Sequence, residues 1–442
     1  MKRLVERARR TPLLHGLPHE VGVLAAIAFC VALGFGIVAP AIPIYASSFG
    51  VSAFLAGAVI SVFALMRLIS SPGAGALVDR LGERRVLTTG LLIVAVSSAL
   101  AGLANNYVQL LVLRGVGGVG SSMFTVSAMA LLLKVVAADQ RGRASGAFQA
   151  GFLLGGVAGP AVGGAVVSLS LRAPFFFYAG TLGLAAIVAW RFLPAEPPGR
   201  PVPSAGDDIG LDSTATRGAE PVASVAADES VEREAPVPET GDPAPGTAAP
   251  TLGQALRNRS YQAALAANLT NGFVTFGLRS SLVPLFVIEG LRSDATLSGI
   301  GFLVAAATQA LLLLPAGRLA DQRGRRPALL AGTALTLVGM GALALAGGAP
   351  LFLLAMGISG LAAAFMGSAP AAVAGDVVGP GGRGIVIAVF QMTSDLGAII
   401  GPLLAGLLAD SLGFGPAFTV GAVVAAFALV MAALMPESLR RS

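Results

Sequence analysis

Four charged side chains stand inside long apolar stretches of this 442-residue chain: Arg67, Arg114, Arg279 and Asp395. If those stretches cross a bilayer, each charge costs roughly 2.5–3.5 kcal/mol on insertion scales, and a charge kept at that cost faces a cavity or a partner. Asp395 lies twelve residues past Arg383 with Thr393 and Ser394 beside it, which is ~18 Å into a helix at the usual rise per residue. A carboxyl in that setting is cheap when protonated and costly when ionised, so it suits the uptake and release of a proton. A permanently paired structural acid is the alternative. Arg114 sits seven residues into its stretch, ~10 Å along the helix, and either turns to an interior cavity or snorkels to the nearer interface. Arg279 either pairs with Asp395 or attracts an anionic substrate. Arg67, toward the end of its stretch, either snorkels or supports the charged segment that follows. Gln149, Gln391, Asn268, Asn271 and Gln309 are polar positions that either line a path or hold helices together.

Other chemistry is missing from the sequence. Both histidines, His15 and His19, precede the first apolar stretch, so histidine cannot relay protons within it. There is no HExxH, no GxxxxGK[ST] phosphate loop, no metal-ligand cluster and no Ser/His/Asp set. An enzyme, an ATPase, a metal site and a cofactor are therefore not expected. The single cysteine, Cys30, lies in an apolar run and has no disulfide partner within the chain.

The elements that must position these residues follow from composition. The chain is 55% hydrophobic and 12% charged, and a soluble domain carries about twice that charge fraction. Stretches of about 20 apolar residues read as membrane-crossing helices. Twelve are expected: 21–46, 51–72, 86–104, 107–132, 144–170 and 174–194, then 259–288, 296–316, 328–347, 350–375, 384–409 and 413–435. Between the sixth and seventh, 195–250 is rich in Pro, Ala and Gly and holds eleven of the 23 acidic residues. It lacks an apolar period and reads as disordered.

The net charge of +6 could suggest nucleic acid, but the placement of the bases explains them better. With a cytoplasmic N-terminus, 24 of the 29 Lys and Arg fall on the cytoplasmic side, Arg172 and Arg292 on the other, and Arg67, Arg114 and Arg279 within spans. That asymmetry puts both termini in the cytoplasm. The organisation expected is a cytoplasmic segment 1–20, a six-helix bundle 21–194, a linker 195–258, a second bundle 259–435 and a tail 436–442.

The chain also repeats itself. GALVDRLGERR at Gly75–Arg85 returns 242 positions later as GRLADQRGRRP, with Gly75/Gly317, Asp79/Asp321, Gly82/Gly324 and Arg84/Arg326 identical. Each copy reads as a short charged loop closing a tight hairpin. At the same offset 141–164 aligns with 383–406, nine of 24 positions matching, and Leu153 stands where the second half has Asp395. An even number of spans per copy makes the halves parallel repeats about an axis along the membrane normal.

These motifs carry a family resemblance. The segment Gly75, Asp79, Arg80, Gly82 and Arg84, repeated as Gly317, Asp321, Gly324, Arg325 and Arg326, resembles the signature between spans two and three of the major facilitator superfamily. Span four contains RGVGGVGSS from Arg114, an Arg followed after three residues by Gly118 and after one more by Gly120. Span five contains Gly146, Gly155, Gly159-Pro160 and Gly163-Gly164. Span one contains Gly34, Pro40 and Pro43. These patterns are similar to those of the twelve-span drug:proton antiporters. The resemblance implies an all-α membrane protein of twelve transmembrane helices in two pseudo-symmetric bundles, at the bacterial inner membrane. It implies a secondary active transporter exchanging protons for exported drug-like or amphiphilic small molecules. It assigns the duplicated loops a latch role in the outward-facing state, Arg114 a part in proton movement, and span five the gate. Glu83 departs from the pattern, which has a base there. A metabolite exporter or importer on the same scaffold, and a membrane sensor that no longer transports, are the other readings. The partners expected are a small-molecule substrate, protons and the lipid bilayer, with no nucleic acid, and the protein is expected as a monomer.

Overall fold

The computed structural model describes residues 17–136, 140–194, 251–378 and 384–438, without the side chains at 141, 142, 160, 161, 164, 165, 167–169, 276, 314, 321 and 384. Residues 195–250 of the expected linker 195–258, the first sixteen residues and the last four lie outside the described residues, as do the side chains of Pro160, Gly164 and Asp321; the linker's last part, 251–258, is not disordered but carries a capped helix, Leu252–Arg257.

Every described element is helical. The first half contains α1 (His19–Val38), α2 (Ala41–Ser47), α3 (Ala53–Leu81), α4 (Glu83–Gly102), α5 (Tyr107–Val135), α6 (Arg141–Leu169) and α7 (Ala173–Phe192). The second contains α8 (Leu252–Arg257), α9 (Arg259–Asn271), α10 (Ser280–Leu285), α11 (Ala295–Gln322), α12 (Arg325–Ala344), α13 (Ala349–Met366), α14 (Ala369–Val378), α15 (Gly384–Leu412) and α16 (Phe414–Leu434). Wider π-helical turns at Gly272–Arg279 and Phe286–Gly290 link α9 to α10 and extend it. Among the described residues, eleven helical segments are long and apolar enough to cross a membrane. The expected fifth span, α6, is 29 residues long and has several side chains outside the description.

Helix starts follow local chemistry. The Ser52 side chain accepts from the Leu55 N–H at 3.5 Å, and Asn106 accepts from Gln109 at 2.9 Å. Thr251 and Gln254 form a reciprocal capping box. Pro40 and Pro43 stand at the break between α1 and α2, Pro40 as the cap and Pro43 within the first turn, where a missing N–H costs nothing.

The same neighbours pack in both halves. α1 lies on α6 and α7 as the α9 segment lies on α15 and α16; α4 lies on α5 and α7 as α12 lies on α13 and α16. Glycine makes the closest of these contacts. On α6, a Cβ at Gly159 would come 2.6 Å from the Leu33 carbonyl oxygen and one at Gly163 2.8 Å from that of Ile37, while Gly151 and Gly155 press equally hard on Ala25 and Phe29. The counterpart in the second half sets Gly397 on Leu269 and Phe273, and Gly401 on Phe273 and Gly277. Without solvent to drive apolar surfaces together, such backbone approach supplies much of the helix–helix attraction. Gly146 and Gly75, by contrast, face open space.

The charged hairpins differ from expectation. The helices run through them: α3 continues to Leu81, α4 begins at Glu83, and Gly82 alone makes the turn at φ +82°. Gly324 does the same before α12 at φ +120°. Hydropathy marks only the oil-immersed part of a helix, so the expected spans ended too early.

Gly82 sits in a backbone region essentially reserved for glycine, with nothing within 4 Å of an added Cβ. Gly82→Ala is therefore expected to cost about 1–3 kcal/mol through the backbone alone, whereas Gly75→Ala, helical and equally open, leaves stability unchanged or raised. Thermal unfolding of the two variants in detergent checks the contrast.

Candidate functional site

The two halves meet along α3 and α15, and along α6 and α11. The α3–α15 seam is antiparallel. At one end, both oxygens of the Asp410 carboxylate accept from the backbone, from Ala53 N–H and Phe54 N–H, each at 2.9 Å. An acid at the start of α3 meets unsatisfied N–H groups and the positive end of the helix dipole. Further along, Gly57 packs on the Pro402 backbone and the Ser61 hydroxyl donates to the Ile399 carbonyl at 2.7 Å. Next comes Arg67, whose guanidinium forms an ion pair with Asp395. Beyond this pair, α3 turns Ile69, Pro72, Gly73, Asp79 and Arg80 outward, and α15 exposes Ile385, Ile387, Gln391 and Met392. The described polar and close backbone contacts of the seam thus run from Asp410 to Asp395.

This geometry decides several open questions. Asp395 is joined to Arg67, not Arg279; Arg67 neither snorkels nor supports the hairpin. The pair is part-buried, with Arg67 32% and Asp395 23% exposed. Thr393 donates to its own helix at Phe390, and Asn268 donates to the Phe390 carbonyl at 2.6 Å, tying α9 to α15. Asn268 therefore serves as helix glue.

Arg114 does not reach an interface. It is 2% exposed, and its guanidinium carbon lies 4.4 Å over the Phe63 ring. An aromatic face offers partial negative charge to a cation. Its Nε has no hydrogen-bond partner among the described residues. Arg279 lines a cavity inside the second half together with Asn271. Gln149 and Gln391 are exposed and Gln309 is half-buried. Gly34 faces α7, where an added Cβ would meet Thr181 and lie 2.6 Å from the Tyr178 ring.

Asp79, in the last turn of α3, is exposed and has no hydrogen-bond or ion-pair partner among the described residues. The arginines of the hairpins bind within their own halves. Arg84 donates to the Trp190 carbonyl at the end of α7, and Arg326 donates to the Ala433 carbonyl at the end of α16 at 2.7 Å. Glu437 closes the second hairpin by accepting from Arg325 N–H at 2.7 Å and Arg326 N–H at 3.2 Å.

The departure at Glu83 is also explained. Glu83 pairs with Lys134 at 3.1 Å, and Arg325 pairs with Asp376 at 3.2 Å. Both partners are related by the 242-residue offset, Glu83 to Arg325 and Lys134 to Asp376. The same bridge is built twice with its charges reversed. Asp410 escaped the sequence reading because an acid near a span end looks like any interfacial charge; its counterpart Ser168 gives the one available signal.

Comparison with known proteins agrees with this architecture. The sequence model of the Major Facilitator Superfamily matches residues 24–307 and 264–441, and the chain belongs to that superfamily. It is a multi-pass membrane protein with bacterial relatives. It is 31% identical over 169 residues to the quinolone resistance protein NorA of Staphylococcus aureus, covering 38% of this chain and 43% of that one. It is 30% identical over 174 residues to multidrug resistance protein 2 of Bacillus subtilis, covering 39% and 43%. The chain thus aligns with less than half the length of these curated relatives. Among solved structures, a bacterial homolog of the human lysosomal transporter Spinster, inward-facing and occupied, superposes with a TM-score of 0.68 at 15% identity over 94% of this chain and 95% of that one. The human organic anion transporter MFSD10 gives 0.61 at 18% identity over 94% and 100%.

The reversed bridges predict a charge-swap result. Glu83→Lys and Lys134→Glu are each expected to destabilise the first hairpin by about 0.2–1 kcal/mol, the range for exposed pairs, and the double variant to recover most of the loss. A double-mutant cycle on thermal unfolding at low salt measures it.

Proposed function

We propose that the protein is a proton-coupled antiporter that exports drug-like or amphiphilic small molecules by alternating access, through twelve spans with α6 as the fifth. The observation that carries the reading is the Arg67–Asp395 ion pair, which joins the two halves midway along their seam. An ionised Asp395 pins α3 to α15. A protonated Asp395 carries no charge and leaves Arg67 without its counter-ion, so the contact weakens. Proton occupancy and the disposition of the two halves are then linked equilibria, and each shifts the other.

The seam contacts gather between Asp410 and Asp395, and Asp79 is exposed at the far end of α3. With both termini cytoplasmic, a form open to the cytoplasm fits this, with the latch for the opposite state disengaged. The close glycine contact between α1 and α6 gives each half a stiff unit that can rock as one body. The relatives named for quinolone and multidrug resistance support export of drug-like solutes.

Reconstituted vesicles test this. With a norfloxacin and ethidium panel and an imposed pH jump, Asp395→Asn is expected to lose proton-driven flux at least about tenfold, the loss of one charge-assisted interaction, while keeping transport down a solute gradient. Proton-driven flux equal to wild type would remove the assignment. Arg67→Gln strands an acid, so it is expected to unfold more readily than the neutral pair Arg67→Gln/Asp395→Asn, by about 1–3 kcal/mol given the partial exposure of the pair. Chemical denaturation in detergent reads the difference.

A further inference from the structure

A second charged feature is not used by this coupling scheme. Inside the second half, Asn271, Thr275 and Arg279 on the α9 segment face Thr336 and Met340 of α12 and Ser359 of α13 across a small, partly open cavity. Its polar groups are mainly donors. The Arg279 Nε and the Ser359 hydroxyl are buried with no hydrogen-bond partner among the described residues. Ser359 is 6% exposed. The Asn271 side-chain oxygen already accepts from the Thr275 hydroxyl at 3.0 Å, which leaves its NH2 group to donate. No acid lines the cavity among the described residues, and of the two readings for Arg279 the pairing with Asp395 falls away, because that carboxylate is held by Arg67.

A half-buried cation whose Nε is sealed from solvent, beside an unsatisfied hydroxyl donor, costs free energy unless something supplies acceptors and negative charge. The duplication shows that the fold does not require this arrangement. At the equivalent positions of the first half, Val38 replaces Arg279, Gly117 replaces Ser359 and Ser98 replaces Met340. The backbone is adapted as well: Gly272–Arg279 winds as a π-helix, a widening frequent at functional sites.

We propose that this cavity is a subsite for the anionic group of the transported solute, a carboxylate held by the Arg279 guanidinium with Ser359 and Asn271 donating to its oxygens. The assignment rests on the transporter reading and adds a substrate class to it: solutes that carry a carboxylate. A guanidinium fork matches the two oxygens of a carboxylate, and its charge-assisted bonds are the strong ones.

The test uses the full chain in phosphatidylcholine nanodiscs and three near-isosteric probes, 4-fluorobenzoate, 4-fluorobenzamide and 4-fluorobenzamidine, with binding read by fluorine NMR. Wild type is expected to bind the benzoate at least about tenfold more tightly than the amide or the amidine, the usual worth of a hydrogen-bonded charge. Arg279→Gln is expected to bring benzoate and amide within about twofold, and Ser359→Ala to weaken benzoate about threefold without changing the amide. Equal binding of the three probes by wild type overturns the proposal, and so does a benzoate preference that survives Arg279→Gln. If Arg279→Gln does not elute as a folded monodisperse particle, Arg279→Lys replaces it. An undiminished preference in both Arg279→Lys and Ser359→Ala is then the overturning result. Displacement of the benzoate by phosphatidylglycerol, dependent on Arg279, would assign the cavity to a lipid headgroup and overturn the solute reading. Binding is measured without a proton gradient. Failed coupling in vesicles with benzoate binding intact therefore rejects only the antiporter mechanism, and intact coupling without an Arg279-dependent preference rejects only the subsite.

Discussion

The structure depends on backbones touching. Lipid tails are as apolar as leucine, so burying one apolar helix against another gains little beyond packing, and packing requires close approach. Gly151, Gly155, Gly159 and Gly163 meet that requirement on α6 by admitting the backbone of α1 from Ala25 to Ile37. Gly397 and Gly401 admit the α9 segment onto α15 in the same way. Within each half a flat glycine face thus fixes one pair of helices, and the remaining helices are arranged around it. Between the halves the joint is of another kind. Gly57 and Gly406 still allow close contact, on Pro402 and on Ala53 and Phe54, but polar groups flank them: the Asp410 cap at one end and the Arg67–Asp395 pair at the other. A joint made of reversible charge contacts can part where a glycine-packed face cannot.

The embedded charges divide by partner. Asp395 has Arg67, Arg114 has the face of Phe63, and Arg279 has an open cavity. These are three different ways of offsetting desolvation, and they suit three different tasks. A carboxylate partner can be switched off by a proton. An aromatic partner cannot, so Arg114 keeps its setting whatever the proton occupancy. An unfilled cavity leaves its cation to a visitor.

Much of this was legible in the sequence because the chain carries its own alignment. The 242-residue repeat located the hairpins, the equivalent spans and the asymmetric insertion of Asp395 opposite Leu153. Glycines at every fourth position announced a smooth helix face. The partner of Asp395 was not legible. Pairing across the seam depends on the rotation of α3 and α15 about their own axes, and helices apolar on every side have no periodicity that reveals it. Asp410 was missed because its partners are backbone N–H groups, which every sequence has and no motif marks.

The reversed bridges have a consequence for how such a duplicated gene can change. Glu83 with Lys134 and Arg325 with Asp376 are each self-consistent, but they are not interchangeable. Copying the first hairpin over the second would set Glu83 against Asp376, and the reverse transfer would set Arg325 against Lys134, like charge against like in both cases. Swapping one hairpin alone between the halves therefore replaces an attraction with a repulsion of similar small size, and only transfer of both members of a bridge keeps the pairing intact.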